Sequence, residues 1–480
     1  MTSDRHRDRH GYAMTDTGEE AAGHLERALE ALLFFRPEMV EASASAVAAA
    51  PRSPLAQAFA AYLGLLGTEE KEAAAARERF ERFRAQFDRS GATPRERAHI
   101  DAASAWLAGD IHEAGRVLGE LAVAYPRDVM ALAVGHQVDF FTGDAVRLRD
   151  RVGGALSAWD PEDPHHGPLT GMYAFGLEES GLYDRSEAVG RAAVEANPHD
   201  VWGIHAVVHT FEMQGRFAEG IAYLDARTSA WSSGNFLTVH NWWHYALYAI
   251  EAGDTDRALE IYDAALHTPE SQGYALELLD ASARLWRLLL AGDDQSARWS
   301  RLADAWAARH DGPFYAFNDV HALMAYLGAG RLADAEALVR DRKAWLNTPH
   351  PGVANHAMTH EIGVPVCRAL IAFTQGHYDQ TVDLLLPLRN RLNTYGGSHA
   401  QRDAVQKTLI EAALRGGRDD LARTLLSERL GVRPSSPYNW LTQARLAERL
   451  GRAAEAAAAR RRAEELRGGA RAGQRGDGGA

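Results

Sequence analysis

Apolar side chains in this chain recur at helical spacing in short segments that glycine, proline or aspartate separates. Residues 198–227 show one such unit. Asp200 precedes a periodic segment over 201–214, Gly215 follows it, and a second segment runs over 217–227. Ala and Leu dominate the apolar set and β-branched residues are scarce, which favours helix over strand. The pattern predicts an all-α protein of paired short helices, with less than about a tenth of its residues in strands.

A glycine marks the turn inside most of the predicted pairs, and successive glycines are 34 to 46 residues apart. These glycines are Gly109, Gly143, Gly181, Gly215, Gly253, Gly292, Gly330, Gly376, Gly417 and Gly451. A 34-residue period with glycine between two short helices is typical of tetratricopeptide repeats. It predicts a right-handed α-solenoid of tetratricopeptide-like helix pairs, about 10–12 repeats long, with a concave groove. Function then depends on the side chains that line the groove.

The solenoid is predicted to be continuous over residues 21–466. Its parts are diverged or capping helices over 21–90, regular repeats over 91–455, and an insertion loop over 347–361 within the longest glycine spacing. The first part contains two or three amphipathic helices, with Gly67 as a poor repeat glycine. Residues 1–20 and 467–480 are expected to be a disordered leader and tail, and Met14 is an alternative start.

Charge and composition exclude several classes of function. The net charge is −13 and the pI about 5.9, which argues against nucleic acid or an anionic membrane as a partner. No window approaches 18 uninterrupted apolar residues and no signal peptide is present, so the cytoplasm is the expected compartment. Cys367 is the only cysteine and lies in an apolar run, so we expect a buried thiol, with no disulfide and no cysteine-based zinc site.

The repeat register predicts which side chains line the groove. In tetratricopeptide repeats, positions 13, 10, 6, 3 and 2 before the glycine form one stripe of the first helix. For four repeats, those positions and the residues at their edges include Glu178, Glu179, Trp202, His205, His209, Glu212, His240, Trp243, His244 and His321. The sequence thus predicts that neighbouring repeats present histidine, tryptophan and glutamate to one groove.

Within the predicted solenoid, three histidine pairs have the i, i+4 spacing that places both rings on one helix face, as two metal ligands require. They are His205 with His209, His240 with His244, and His356 with His360. About one such pair is expected by chance for this histidine content, and no HExxH motif is present. Three interpretations stay open for them: a polar and aromatic ligand pocket, a divalent metal site at His205, His209, His240 and His244, or structural histidines.

Two further segments carry candidate site residues. His356 and His360, with Glu361, follow the proline-containing part of the insertion loop, which either covers the groove or is an ordinary solvated loop. In YGGSHAQRD (395–403), Ser398 is a good helix N-cap, and the helix start beside Arg402 either binds an anionic ligand group or is only a cap. Walker A, GxGxxG and GxSxG motifs are absent.

At these same segments the chain resembles the tetratricopeptide repeat protein 38 family. The resemblance is carried by GMYAFGLEESGLYDRSEAVGRAAVEANPHDVWGIHAVVHTFEMQGR (171–216), VHNWWHYAL (239–247) and GGSHAQRD (396–403), and it extends over most of residues 25–455. It implies a soluble, cytoplasmic helical-repeat protein and carries over no assigned chemistry.

Three functions follow as hypotheses. The leading one is binding of a small molecule or peptide terminus in the groove. The second is a metal-dependent hydrolase or lyase, with Glu178, Glu179 or Glu212 as ligand or general base. The third is a scaffold that binds an extended peptide of a partner protein. Because groove residues do not pack the core, His209→Ala is expected to change stability little.

Overall fold

A computed structural model describes residues 6–476, with side chains described as far as residue 468. The first half of this part contains α1 Glu19–Leu33, α2 Glu38–Ala49, α3 Pro54–Leu66, α4 Glu70–Arg84, α5 Pro94–Leu107, α6 Ile111–Ala124, α7 Val129–Phe141, α8 Ala145–Ala155, α9 His166–Glu179, α10 Tyr183–Ala196, α11 Val201–Gln214, α12 Phe217–Asp225 and the short α13 Thr228–Trp231.

The second half continues with α14 Leu237–Ala252, α15 Thr255–Ile261, α16 Ala275–Leu290, α17 Ser296–Arg309, α18 Ala316–Gly328, α19 Leu332–Leu346, α20 Ala354–Met358, α21 Val364–Thr374, α22 Tyr378–Leu385, α23 His399–Arg415, α24 Asp419–Val432, α25 Pro437–Arg449 and α26 Ala453–Gly476. Short 3₁₀ or π turns occupy Leu156–Ala158, Tyr262–Leu266, Thr359–Gly363, Leu386–Leu388 and Leu392–Tyr395.

Consecutive helices pack as pairs, from α1 with α2 to α25 with α26, so the described chain is an all-α solenoid of tetratricopeptide-like pairs. Each of the ten predicted repeat glycines lies at a turn with a positive φ, between 65° and 95°. A left-handed residue ends a helix while the chain reverses, and glycine adopts that conformation without strain. The glycine pattern thus located the helix pairs correctly.

The first two pairs make the same turn without glycine. Phe35, after α1, has φ 52°, and Thr68, after α3, has φ 55°. Gly67 itself is right-handed, with φ −75°. Because glycine is missing at these two turns, the glycine pattern weakens before residue 90. Four helices are present there, whereas the sequence predicts two or three.

Part of the expected leader is folded. Residues His6–Arg7 and Ala13–Met14 form an antiparallel two-stranded hairpin, and the Met14 side chain is buried. The Thr15 hydroxyl donates to the Glu96 carboxylate at 2.7 Å, which anchors the segment to the solenoid. At the other end α26 continues through the expected tail to Gly476. Residues 1–5 and 477–480 of these two predicted segments lie outside the described residues.

Consecutive turns of the superhelix touch each other. Several polar contacts join residues 220 to 250 positions apart, about seven 34-residue repeats. They link Glu69 to Arg309, Thr68 to Asn318, Gly143 to Asn393, Glu179 to Arg402, and Met213 to Arg433. The concave side is therefore covered over much of its length rather than open.

Helix α23 illustrates how the inside is filled. It packs against α11 and α16, which belong to other repeats, and fourteen of its 17 residues are buried. Within the described residues, none of the helices combines the length and the apolar composition that crossing a bilayer requires. Cys367 is a buried free thiol, and burial raises its pKa.

Candidate metal centre

Two neighbouring inner helices, α11 and α14, carry the two central histidine pairs. Asp200 caps α11 by accepting from the backbone N–H groups of Trp202 and Gly203, at 3.1 and 3.0 Å. Gly215 and Gly253 end α11 and α14 in the left-handed conformation. The repeat glycines thus give α11 and α14 the same register, and the i, i+4 spacing places the two histidines of each helix on one of its faces.

The four rings meet between these helices. Ring centroids are 4.4 Å apart for His205 and His209, 4.3 Å for His209 and His244, and 4.9 Å for His240 and His244. One potential ligand atom from each of the four histidines lies within 4.8 Å of those from the other three. The repeat register brings the two pairs together as it predicts, rather than to opposite faces of the solenoid.

The cluster is almost completely shielded from solvent. His205, His209 and His244 are buried, and His240 alone keeps 15% of its side chain exposed. Neither ring nitrogen of His209 or His244 has a hydrogen-bond partner in the protein. Burial lowers the pKa of His209 to about 3 and holds those of His205 and His244 well below the usual value, so these three imidazoles are neutral.

Side-chain oxygen atoms lie next to the Nδ1 atoms of three of the four rings. The Nδ1 atom of His240 is 2.7 Å from Asp280 Oδ2, and that of His205 is 3.3 Å from Asn241 Oδ1. His209 Nδ1 lies 3.4 Å from Glu178 Oε2. The repeat register does not identify Asp280 or Asn241, although Asn241 adjoins His240 and Asp280 lies one position away from the stripe before Gly292.

Two carboxylates adjoin the histidines and differ in their partners. Glu178 is fully buried and neither oxygen accepts a hydrogen bond. Burial, and then the charge of Glu179, raises its pKa well above the usual value. Glu179 is buried as well, and burial alone would raise its pKa, yet the interactions with His399 and Arg402 outweigh burial and lower it. His399, which the repeat register does not identify, has a ring nitrogen within 4.8 Å of a carboxylate oxygen of each glutamate.

The start of α23 faces this region, as the anion-site hypothesis expects. Ser398 caps the helix in a reciprocal pair with Gln401. Glu179 accepts from the His399 backbone N–H at 2.8 Å and lies 3.2 Å from an Arg402 nitrogen. The anion at this helix start is therefore the protein's own glutamate.

The remaining inner residues are packed rather than open to a ligand. Trp202 contacts the Phe175 and His136 rings, and Trp243 stacks on His240 at 5.0 Å. Glu212 pairs with Arg433 at 3.7 Å, and His321 Nδ1 bonds to the Phe317 carbonyl at 2.8 Å. All four predicted lining residues are buried.

The third histidine pair lies elsewhere. His356 packs against Trp345 and His350, with ring centroids 5.3 and 5.7 Å away, and His360 is exposed. The insertion contacts the turn at Gly109, where the Ala354 N–H donates to its carbonyl. It thus packs against another superhelical turn, and His356 and His360 are not among the side chains that meet the four-histidine cluster.

Burial also revises an expectation about stability. His209 has no exposed surface and packs between the rings of Phe175, His205 and His244. Truncation to alanine would leave a cavity in the interior, and buried large-to-small changes typically cost about 2–5 kcal/mol. The premise that groove residues do not pack the core is therefore wrong for this side of α11, and we now expect His209→Ala to lower stability.

No family model matches the chain. Among solved structures it is similar to human IFIT1 with PPP-AAAA, at 14% identity over 93% of this chain and 94% of that one, with a TM-score of 0.40. It is also similar to yeast Tom70, at 13% identity over 95% and 96% with a TM-score of 0.32, and to the TPR domain of P58(IPK), at 13% over 80% and 98% with a TM-score of 0.21. At these values the similarities carry no argument about a ligand or a partner. The helix pairs and the repeat glycines make the described chain a tetratricopeptide-like helical-repeat protein.

Proposed function

We propose that this protein binds a divalent transition-metal ion through His205, His209, His240 and His244. The observation that carries the proposal is the convergence of four imidazoles, one donor atom from each within 4.8 Å of the others. Ligands bound to one ion at about 2.0–2.1 Å lie at most about 4 Å apart, so a small inward movement of the rings would complete a site. Imidazole donors favour Zn²⁺, Cu²⁺, Fe²⁺ or Ni²⁺ over Mg²⁺ or Ca²⁺.

The oxygen atoms next to the Nδ1 atoms of three rings also support a bound metal ion. A metal-bound histidine usually donates its second ring N–H to a carboxylate, a carbonyl or a water, which fixes its tautomer and orientation. Asp280, Asn241 and Glu178 stand at the Nδ1 atoms of His240, His205 and His209. Their position leaves Nε2 of these rings as the nitrogen for the ion.

Charge balance supports an ion as well. Glu178 is a buried carboxyl without a hydrogen-bond partner, which is costly in the protein interior. A cation bound to His209 would stabilise its ionised form, because an opposite charge a few ångströms away favours a carboxylate.

An ion fits this interior better than the small molecule or peptide terminus that the sequence suggests. Trp202, Trp243 and Glu212, expected to line a pocket, are buried against protein neighbours. A larger ligand would need those side chains to move apart, whereas an ion needs only the space between the four rings.

A chelator-treated sample of the full chain tests the proposal. Equilibrium dialysis against Zn²⁺, followed by metal analysis, is expected to give one bound ion fewer per chain in H209Q/H244Q than in the unmodified protein. The control H356Q/H360Q changes an i, i+4 pair outside the cluster and is expected to lose none. Equal binding by the unmodified protein and H209Q/H244Q would refute the assignment.

A hydrolase or lyase that uses the same ion is the second candidate. Its supporting observation is Glu178, a buried carboxyl without a hydrogen-bond partner 3.4 Å from His209 Nδ1, which would have to turn past that ring towards the ion to act as a general base. Such an enzyme needs an open coordination position. Azide added to the Co²⁺-loaded protein is expected to change the visible spectrum if that position exists, and an unchanged spectrum would indicate a closed, structural site.

A further inference from the structure

A second group of potential ligands lies where the N-terminal hairpin meets the solenoid. His10 stands in the turn between the hairpin strands, while Asp163 and His165 belong to the connection between α8 and α9. His10 Nδ1 is 3.9 Å from Asp163 Oδ2, and the two imidazole centroids are 5.7 Å apart. One ligand atom from each of the three residues lies within 4.8 Å of the other two.

Both imidazoles are buried without hydrogen-bond partners in the protein. The His10 side chain is 5% exposed and His165 is 2% exposed. None of their four ring nitrogens is paired, although neutral imidazole carries one donor and one acceptor. Trp159 packs its ring against both, so it shields them without satisfying them.

Asp163 is already held in position by other groups. One oxygen accepts from the His165 backbone N–H at 3.0 Å, and the other accepts from Arg127 at 2.9 Å. Ligating carboxylates are commonly oriented by hydrogen bonds of this kind.

We propose that His10, Asp163 and His165 bind a second divalent transition-metal ion, which fastens the hairpin to the α8–α9 connection. Two imidazoles and one carboxylate form a common ligand set for Zn²⁺ and Fe²⁺. The distance of 3.9 Å between the His10 nitrogen and the Asp163 oxygen is too long for a hydrogen bond. It matches two ligands that share one ion, each at about 2.0–2.2 Å from it.

The site opens onto a cavity. His10 and His165 line a space of about 200 Å³ together with side chains of the hairpin, α1 and α7. Three protein ligands leave at least one coordination position free. That position would hold water or a small ligand in the cavity, in contrast to the enclosed four-histidine cluster.

Zn²⁺ dialysis of the full chain tests this second site independently of the first. The unmodified protein is expected to bind two ions, H10Q/H165Q one, H209Q/H244Q one, and the combined variant none. The matched control H6Q/H166Q changes a histidine in the first hairpin strand and the first residue of α9, next to His165, and is expected to keep both ions. An ion retained at the four-histidine site shows that H10Q/H165Q has folded.

Hydrogen exchange of the hairpin amides separates metal binding from a purely structural role of these histidines, because a structural role alone would not make the exchange depend on Zn²⁺. At free Zn²⁺ ten times the dissociation constant, opening of residues 6–14 is expected to slow about tenfold in the unmodified protein and in H209Q/H244Q. It should stay unchanged by Zn²⁺ in H10Q/H165Q. Two results would overturn the second site: equal Zn²⁺ binding by H10Q/H165Q and the unmodified protein, or a hairpin exchange rate that Zn²⁺ leaves unchanged in both proteins. Neither result would contradict the four-histidine site.

Discussion

Seven histidines are buried in the described chain, and burial of an imidazole disfavours its protonated form. They are His99, His136, His165, His205, His209, His244 and His321. His136 isolates the effect, because it lies outside both proposed metal sites. Its Nε2 bonds to the Met172 carbonyl at 3.1 Å, and burial lowers its pKa to about 3.

His136 should therefore make the protein less stable in acid. Its pKa in the folded protein lies below the value of about 6.5 in the unfolded chain, so the unfolded chain binds the extra proton first. The stability it contributes is complete above pH 6.5 and decreases as the pH falls towards 3, by about 2 kcal/mol at pH 5. In metal-free protein, urea unfolding at pH 7 and pH 5 should show a smaller difference for H136Q than for the unmodified protein. H360Q, a change at an exposed histidine, should keep the full difference.

Contacts between elements distant in sequence hold the region around the histidine cluster together. Glu179 ends α9, and Arg402 lies in the first turn of α23, 223 residues later. Both side chains are almost fully buried at this ion pair. A buried pair costs little net stability when both members are present and much when one is removed.

A double-mutant cycle measures this connection between α9 and α23. E179Q and R402M are each expected to lower the free energy of unfolding by about 3 kcal/mol, because each leaves a buried charge without its counter-charge. The double variant should lose less than the sum, with a coupling of about 1–3 kcal/mol. The exposed pair of Glu78 and Arg82 supplies the control, since E78Q should cost less than about 1 kcal/mol. Strict additivity of the two buried changes would mean that the two helices are held together by other contacts.

At the scale of the whole molecule, consecutive turns of the superhelix contact each other. Two repeat glycines separate the effect of this contact on stability from the effect of the local backbone conformation. Gly143 and Gly181 both have positive φ, 65° and 74°. A Cβ on Gly143 would overlap the Asn393 carbonyl of another superhelical turn, whereas a Cβ on Gly181 would meet nothing within 4 Å. The two sites thus share the local strain and differ in the contact between turns.

G143A is therefore expected to destabilise the protein more than G181A. Each change carries a left-handed strain of about 1 kcal/mol, and both restrict the unfolded chain equally. The overlap with backbone at Gly143 should add about 1–3 kcal/mol, as overpacking in a core does. Urea midpoints of the two variants measure the difference, and equal midpoints would show that the two turns of the superhelix do not press on each other there.

Local patterns in the sequence determined the helix pairs and their register. Glycine positions set the turns, and the i, i+4 spacing in each repeat set which histidines share a face, so the meeting of His205, His209, His240 and His244 was predictable. Where Phe35 and Thr68 replaced glycine in the turns, the pattern failed, because the signal depended on a residue type that the conformation favours but does not require.

Only the tertiary structure decided what occupies the concave side. Several site residues come from distant parts of the chain: Asp280 lies 40 residues from His240, and His399 lies 220 residues from Glu179. His10 lies in the hairpin, a segment without repeat periodicity. Repeat spacing describes contacts between adjacent pairs, since each repeat packs mainly on the next. It does not describe contacts between superhelical turns, and those contacts make the predicted concave groove a packed, polar interior.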